Sequence, residues 1–232
     1  MVEEARKKLR AMADPERARV LRGFFKTGRG EYGEGDVFLG VAVPRVRNLI
    51  GDCRGLSLAQ IKKLLASRVH EERLLAVLLL VDRFQRGDER SKKETFGFYV
   101  NHARRINNWD LVDLSAHRIV GAYLKNQWRP LLGKLARSRN LWERRIAIVA
   151  TLHGIREGRP EPAFGISRLL LKDKHDLIHK AVGWMLRETG KHCSESRLEA
   201  FLKNHAKTMP RTALRYAIER FPESKRKAYL AK

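Results

Sequence analysis

The sequence predicts an all-α protein, because it combines helical periodicity with helix-start residues and shows no strand pattern. Apolar residues return at steps of three and four over long stretches, which places them on one face of a helix. One such set is Leu111, Val112, Ile119, Ala122 and Tyr123. No segment shows the sustained alternation of polar and apolar residues that marks a half-buried strand. We therefore expect helices almost throughout the chain.

Capping residues predict where individual helices begin. Asp14 is followed by Pro15, a combination typical of an N-cap and the first helical position. Similar starts are predicted at Ser57, Asn108, Asn140 and Pro210. The segment 27–41, TGRGEYGEGDVFLGV, is rich in glycine and is predicted to be the one non-helical island.

A faint internal repeat indicates how these helices are arranged. Similar helices carry the marker residues Ala76, Ala147, Ala181 and Ala217, separated by 71, 34 and 36 residues. The first gap is about twice the others and contains the predicted helix that begins at Asn108. A period near 35 with two helices per repeat predicts a superhelical α-solenoid of degenerate HEAT- or armadillo-like helix pairs. No low-complexity linker interrupts the chain, so a single domain over residues 1–232 is expected.

The charge balance predicts a polyanionic partner. The chain contains 49 Lys and Arg against 26 Asp and Glu, a net charge of +23. Such an excess favours nucleic acid or an anionic membrane surface. The longest apolar run, residues 74–81, is far shorter than the roughly 20 residues of a membrane span. Basic residues also occur in every segment and not in one local anchor, so nucleic acid is the expected partner.

Cysteine usage and the N-terminal sequence bear on location. The two cysteines, Cys53 and Cys193, are far apart in sequence, which excludes a disulfide framework and a cysteine-based zinc site. The N-terminal sequence MVEEARKKLR has acidic residues and no apolar core of a secretory signal. A cytoplasmic protein is therefore expected.

The segment RRINNWDLVD, residues 104–113, is the strongest candidate for chemistry. Trp109 and Asp113 are four residues apart, so they share one face near the start of a helix, and Arg104 and Arg105 lie just upstream. An indole face attracts cations, and a carboxylate stabilises an oxocarbenium-like sugar and positions water. The alternative is structural, with Trp109 as a packing residue and Asp113 paired to a nearby arginine. The residues alone leave both interpretations open.

Two further tryptophans, Trp142 and Trp184, lie in repeat helices beside basic residues. These neighbours are Arg144, Arg145, Lys180 and Arg187. Aromatic and basic residues in alternation suit contact with phosphate and sugar, although packing between repeats is the simpler explanation for such a tryptophan. His175 and His179 have the spacing of a metal-binding pair but no third ligand, and the glycines of 28–40 match no phosphate loop. Neither a metal nor an organic cofactor is expected.

Three sequence blocks resemble one known family. They are NNWDLVD at 107–113, NLWERRIAI at 140–148 and KAVGWMLRE at 180–188, with FLGV at 38–41 followed by Pro44. In order and spacing they are similar to the bacterial HEAT-like-repeat alkylpurine DNA glycosylases of the AlkD type. The resemblance extends from about residue 15 to 220.

This resemblance implies a superhelix that holds duplex DNA on a basic concave face and hydrolyses the N-glycosidic bond of cationic N3- and N7-alkylpurines. It implies that Trp109 contacts the deoxyribose of the lesion and that Asp113 stabilises the sugar cation and water. Trp184 resembles a second aromatic wall, and Arg145 a backbone-contacting arginine. A cationic base leaves as a neutral molecule, so no general acid is needed. The protein is then expected to start base excision repair as a monomer associated with the bacterial nucleoid.

Two features depart from the family pattern. Ala42 stands where a polar glutamine is expected, and the GEYGEGD stretch at 30–36 is an insertion. Both leave the N-terminal DNA contacts and the lesion range open. A non-catalytic helical-repeat protein that binds branched or damaged DNA is the alternative, and a scaffold for an acidic protein partner is a third interpretation. The presence of Trp109, Asp113 and Trp184 together favours the enzyme, because a carboxylate facing phosphates weakens simple DNA binding.

Overall fold

The computed structural model describes residues 1–125 and 127–231. In these residues helices are the only extended regular elements, with a single bridge between Val37 and Val69. The predicted all-α class is therefore confirmed. The helices form two compact units, Met1–Ser115 and Ala116–Lys232. The single domain expected over residues 1–232 stays a prediction.

The first unit contains eight described helices and a 3₁₀ turn at Ala103–Arg105. The helices are α1 (Val2–Ala11), α2 (Pro15–Phe24), α3 (Val43–Asn48), α4 (Ile50–Cys53), α5 (Leu58–Leu65), α6 (His70–Arg86), α7 (Glu89–Asn101) and α8 (Trp109–Ala116), the last of which ends at the boundary. Helix α6 is central, since it packs against α3, α4, α5 and α7 and is buried without interruption from His70 to Val81.

The second unit begins with a π-helical segment, His117–Gly121, that continues directly from α8. Its α-helices are α9 (Ala122–Leu124), α10 (Arg129–Ala136), α11 (Leu141–Ala150), α12 (Leu152–Arg156), α13 (Glu161–Leu170), α14 (Asp176–His192), α15 (Glu195–His205), α16 (Arg211–Ala217) and α17 (Glu223–Leu230). Helix α14 packs against α11, α13, α15 and α16. A side chain at Gly183 would lie 2.4 Å from the Ala213 carbonyl oxygen, so glycine permits the close approach of α14 and α16.

The predicted helix starts are confirmed. Asp14 accepts a hydrogen bond from the Arg17 amide, and Ser57 forms a capping box with Gln60. Asn108, Asn140 and Pro210 directly precede α8, α11 and α16. Segment 27–41 contains no helix, as predicted. The four marker alanines are all buried, which agrees with equivalent core positions in successive helix pairs.

Candidate functional site

Trp109 is the first residue of α8 and is partly buried. Its indole stacks on the Phe25 ring at a centroid distance of 5.1 Å and meets the edge of Phe24 at 5.8 Å. Phe24 itself is 61% exposed. Trp109 therefore has the packing contacts that the structural interpretation required, while part of its surface stays accessible for a ligand.

Asp113 lies one turn further along α8, so the helix carries Trp109 and Asp113 on one face. The carboxylate is partly buried and lies close to the fully buried Tyr99. Burial raises the pKa of the Tyr99 hydroxyl, and the negative charge of Asp113 raises it further. Tyr99 stays neutral and shares a 2.8 Å hydrogen bond with Ser115. The structure thus brings a partly accessible indole and carboxylate together, as predicted.

A buried group of charged residues lies beneath the start of α8. His70, the first residue of α6, donates from Nε2 to Asp110 Oδ2 at 2.8 Å. Arg73 pairs through Nη2 with Asp36 Oδ2 at 2.7 Å, and Asn108 Nδ2 donates to the same oxygen at 3.1 Å. We call these five residues the His70 cluster.

Burial and charge act against each other on His70. Burial alone lowers the pKa of its imidazole, but the attraction and hydrogen bond of Asp110 and the proximity of Asp36 outweigh burial and raise the pKa to about 9. The pKa of Asp36 is lowered, because hydrogen bonds and the charge of Arg73 outweigh its own desolvation. At neutral pH the cluster therefore contains an imidazolium and two carboxylates.

The four consecutive residues His70 to Arg73 bond to three other parts of the first unit: α8, the segment between α2 and α3, and α1. Glu71 accepts hydrogen bonds from the amides of residues 39–41, at 2.8 to 3.2 Å, and Glu72 pairs with Arg6 of α1 at 2.9 Å. All four side chains are buried. Sequence reasoning missed them, because charged residues in a first helical turn resemble a solvated helix end. The available signal was the apolar run that follows at 74–81: a helix apolar on every side is buried, and its first turn with it.

The hydrogen bonds to Glu71 hold the backbone of the FLGV block, residues 38–41, in place. Gly40 has a positive φ of 85°, and a side chain there would lie 2.1 Å from the Asp14 carbonyl oxygen. Only glycine fits this position without displacement. Ala42, the departure from the family pattern, precedes α3 and provides no side-chain cap.

The other predicted residue pair of the first unit, Arg104 and Arg105, lies on the 3₁₀ turn that precedes α8. Both side chains are exposed. Their position a few residues before Trp109 puts two positive charges near the start of the candidate helix, as the sequence predicted.

The remaining predicted residues lie in the second unit. Trp184 is partly buried on α14. Arg144 pairs with Asp173 at 2.6 Å, and Arg145 is only 5% exposed and donates to the Leu177 carbonyl. The guanidinium groups of Arg144 and Arg145 thus hold the start of α11 against Asp173, just before α14, and against the first turn of α14.

Lys180 and Arg187 also lie on α14. Lys180 pairs with Asp176 one turn earlier at 2.7 Å, and its side chain is 42% exposed. Arg187 pairs with Glu219 and with Glu188. Lys180 is the more accessible of the two cations.

Over residues 1–125 and 127–231, no three His, Cys, Asp or Glu side chains are grouped as metal ligands would be. Within the same residues no helix combines the length and apolar character needed to cross a bilayer.

Comparison with known proteins gives an independent view of the chain. Residues 5–221 match the family described as DNA alkylation repair enzyme. A comparison with curated proteins found no match. Among solved structures the chain is similar to a "Predicted DNA alkylation repair enzyme from Enterococcus faecalis", with a TM-score of 0.71 and 18% identity over 91% of this chain and 98% of that one. At this identity the likeness shows the fold, and it agrees with the predicted α-solenoid class.

The family match covers nearly the whole chain, including both units and all three sequence blocks. It supports a role in DNA alkylation repair with DNA as the partner. The chain belongs to the DNA alkylation repair enzyme family.

Proposed function

We propose that the protein is a monofunctional DNA glycosylase that removes cationic N3- and N7-alkylpurines from duplex DNA. The observation that carries this proposal is the pairing of a partly accessible indole and carboxylate on one face at the start of α8. The family match and the net charge of +23 support DNA as the substrate.

In the proposed reaction the bond between C1′ and the purine nitrogen breaks, and its electron pair goes to the base. The base already carries a positive charge, so it leaves neutral and needs no proton. Asp113 stabilises the positive charge that develops on the sugar and orients the attacking water. The oxygen of this water bonds to C1′, and the proton that the water loses passes to solvent. Trp109 contributes its negative ring face to the same charge. We assign the second aromatic wall to Trp184.

DNA backbone contacts are assigned to the basic residues in order of their accessibility. Arg104, Arg105 and Lys180 have the most exposed charges and are expected to neutralise phosphates. Arg187 is partly exposed. Arg144 and Arg145 are already engaged with protein groups, so we expect their contribution to DNA affinity to be smaller. The proposal includes action as a monomer on nucleoid DNA in the cytoplasm, without metal or cofactor.

Excision from methylated duplex tests the proposal. The protein is expected to release 7-methylguanine faster than spontaneous depurination. Asp113→Asn is expected to lower the single-turnover rate about 10²-fold or more, because it removes a charge that acts on the transition state, and to leave DNA affinity nearly unchanged. Asp52→Asn is the matched control, since it makes the same change at an exposed carboxylate of the same unit.

Two outcomes contradict the proposal. Absence of acceleration by the wild-type protein, with DNA binding retained, supports the alternative of a protein that binds damaged or branched DNA without catalysis. Equal losses of rate and of affinity in Asp113→Asn remove the catalytic role of Asp113.

A further inference from the structure

The segment between α2 and α3 supplies a stack of aromatic rings to Trp109. Phe25 lies on the indole at 5.1 Å, Phe38 lies on Phe25 at 4.9 Å, and His70 lies on Phe38 at 4.6 Å between ring centroids. The stack therefore runs without interruption from Trp109 to the imidazole of His70. Phe25 and Phe38 thus connect the imidazole of His70 to the indole of Trp109.

Hydrogen bonds also hold the backbone around Trp109 in place. Asn108 accepts a 2.8 Å hydrogen bond from the Trp109 amide and donates to Asp36, and Asp110 accepts from His70. The residues before and after Trp109 are thus both bonded into the His70 cluster. Trp109 is held between two buried anchors and has little freedom to turn about the helix axis.

The net charge of the cluster depends on one proton. The charged groups facing His70 are Arg73 on its own helix, Asp110 on α8 and Asp36 in the segment between α2 and α3. Two carboxylates and one guanidinium leave one negative charge, and a protonated imidazole makes the total zero. All four residues are 9% exposed or less, and an unbalanced charge at such a depth is costly.

We infer that His70 and Asp36 are positioning residues for Trp109, and that the protonated cluster holds the indole in its working orientation. The inference rests on the proposed glycosylase function. His70 is 3% exposed and Asp36 is 9% exposed, so neither is placed to touch a substrate. Their effect passes through Asn108, Asp110 and the aromatic stack. Asp36 is also the last residue of the GEYGEGD stretch, which gives that insertion a function: it supplies the second carboxylate of the cluster.

Excision by the wild-type protein is expected to depend on the protonation of His70. Removal of the imidazolium proton leaves a buried negative charge and weakens the contact with Asp110. Excision is expected to fall on the alkaline side with a midpoint near the pKa of His70, about 9. Trp109 fluorescence is expected to change over the same range, because the indole then moves against Phe25.

The experiment compares wild type, His70→Gln, Asp36→Asn and Trp109→Phe between pH 7 and 10.5. The fluorescence transition in wild type is expected to be absent from Trp109→Phe and from His70→Gln, and shifted to lower pH in Asp36→Asn. Single-turnover excision at neutral pH is expected to fall about 10-fold in His70→Gln, since small misplacements of a catalytic group have such effects. The alkaline fall in rate is expected to be absent from the same variant. His192→Gln, on the partly exposed His192 of α14, is the matched control.

The fluorescence measurement separates this inference from the proposed function. If the protein excises nothing but shows the His70-dependent transition, the glycosylase proposal fails and the positioning of Trp109 stands. A wild-type protein without a Trp109 transition in this range overturns the inference. The same transition retained in His70→Gln also overturns it, because a lysine, tyrosine or cysteine is then responsible.

Discussion

The first and second units use one arginine in the same way at the start of a buried helix, but the charges around it differ. Arg73 of α6 and Arg144 of α11 are 71 residues apart, the spacing of the first two marker alanines. Each donates to the carbonyl oxygens of the residues six and five positions earlier, at 2.9 to 3.2 Å. Each also pairs with a carboxylate, Asp36 in the first unit and Asp173 in the second.

The difference lies in what has been added to this shared contact. In the first unit His70 and Asp110 complete a cluster whose charge depends on a proton, whereas Leu141 occupies the position of His70 in the second unit. The arginine contacts therefore maintain the repeat in both units. The ionisable histidine is found where the candidate catalytic helix begins. If His70 positions Trp109 as inferred above, the added charges serve the site and the arginine contact serves the fold.

Removal of the arginine is expected to have the largest effect on stability and to differ between the units. Arg73→Ala leaves the buried Asp36 without its guanidinium, which is expected to cost about 3–5 kcal/mol. Arg144→Ala is expected to cost less, about 1–3 kcal/mol, because the Arg144 side chain is 17% exposed against 3% for Arg73, so water can take its place beside Asp173. Urea unfolding of the full chain measures both. Equal losses would mean that the depth of the pair does not matter and would remove the distinction between the units.

Much of this fold was predictable because its signals are local. Asp14, Ser57 and Asn140 cap their helices as expected, since capping depends on residues within one turn. The co-facial placement of Trp109 and Asp113 follows from a spacing of four in a helix. Whether an indole that begins a helix is accessible or packed depends on other segments. The stacking of Phe25 on Trp109 could therefore not be predicted from the sequence.

The His70 cluster was not predictable for the same reason. Asp36 and Asp110 are 34 and 40 residues away from His70 in sequence, and only the fold brings them together. Arg144 and Arg145 show that a local pattern can also indicate a role that distant residues take over. Their place beside Trp142 predicted DNA contact, but the structure gives both guanidinium groups protein partners that lie about 30 residues further along.

The pH dependence of stability is expected to have opposite signs in the two units. The pKa of His70 is raised from 6.5 to about 9, so its contribution is fully present below pH 6.5 and is lost as pH rises through 9. A shift of this size corresponds to a loss on the order of 3 kcal/mol. In the second unit burial lowers the pKa values of His153 and His175, so stability falls as pH drops below 6.5.

Urea midpoints at pH 5.5, 7.5 and 10 measure both the acid and the alkaline loss of stability. His70→Gln is expected to abolish most of the alkaline loss and to leave the acid loss unchanged, and His175→Gln to reduce the acid loss. If His70→Gln retains the full alkaline loss, the protonated cluster is not what stabilises the first unit.

The smallest expected effect is on the salt dependence of DNA binding, and it comes from substitution of two matched surface lysines, one in each unit. Lys8 of the first unit pairs with Asp52 at 2.8 Å and is 39% exposed, and Lys180 of the second pairs with Asp176 at 2.7 Å and is 42% exposed. Exposed pairs of this kind add little to stability, so neither Lys8→Ala nor Lys180→Ala is expected to move the urea midpoint measurably.

The two variants are expected to differ in their affinity for undamaged duplex, because only Lys180 is assigned to a phosphate. Lys180→Ala is expected to reduce the slope of log affinity against log salt by about 0.9, the release of one counterion, while Lys8→Ala leaves it unchanged. Equal slopes in the two variants would mean that the net charge of the whole protein, and not a placed lysine on α14, determines this part of DNA binding.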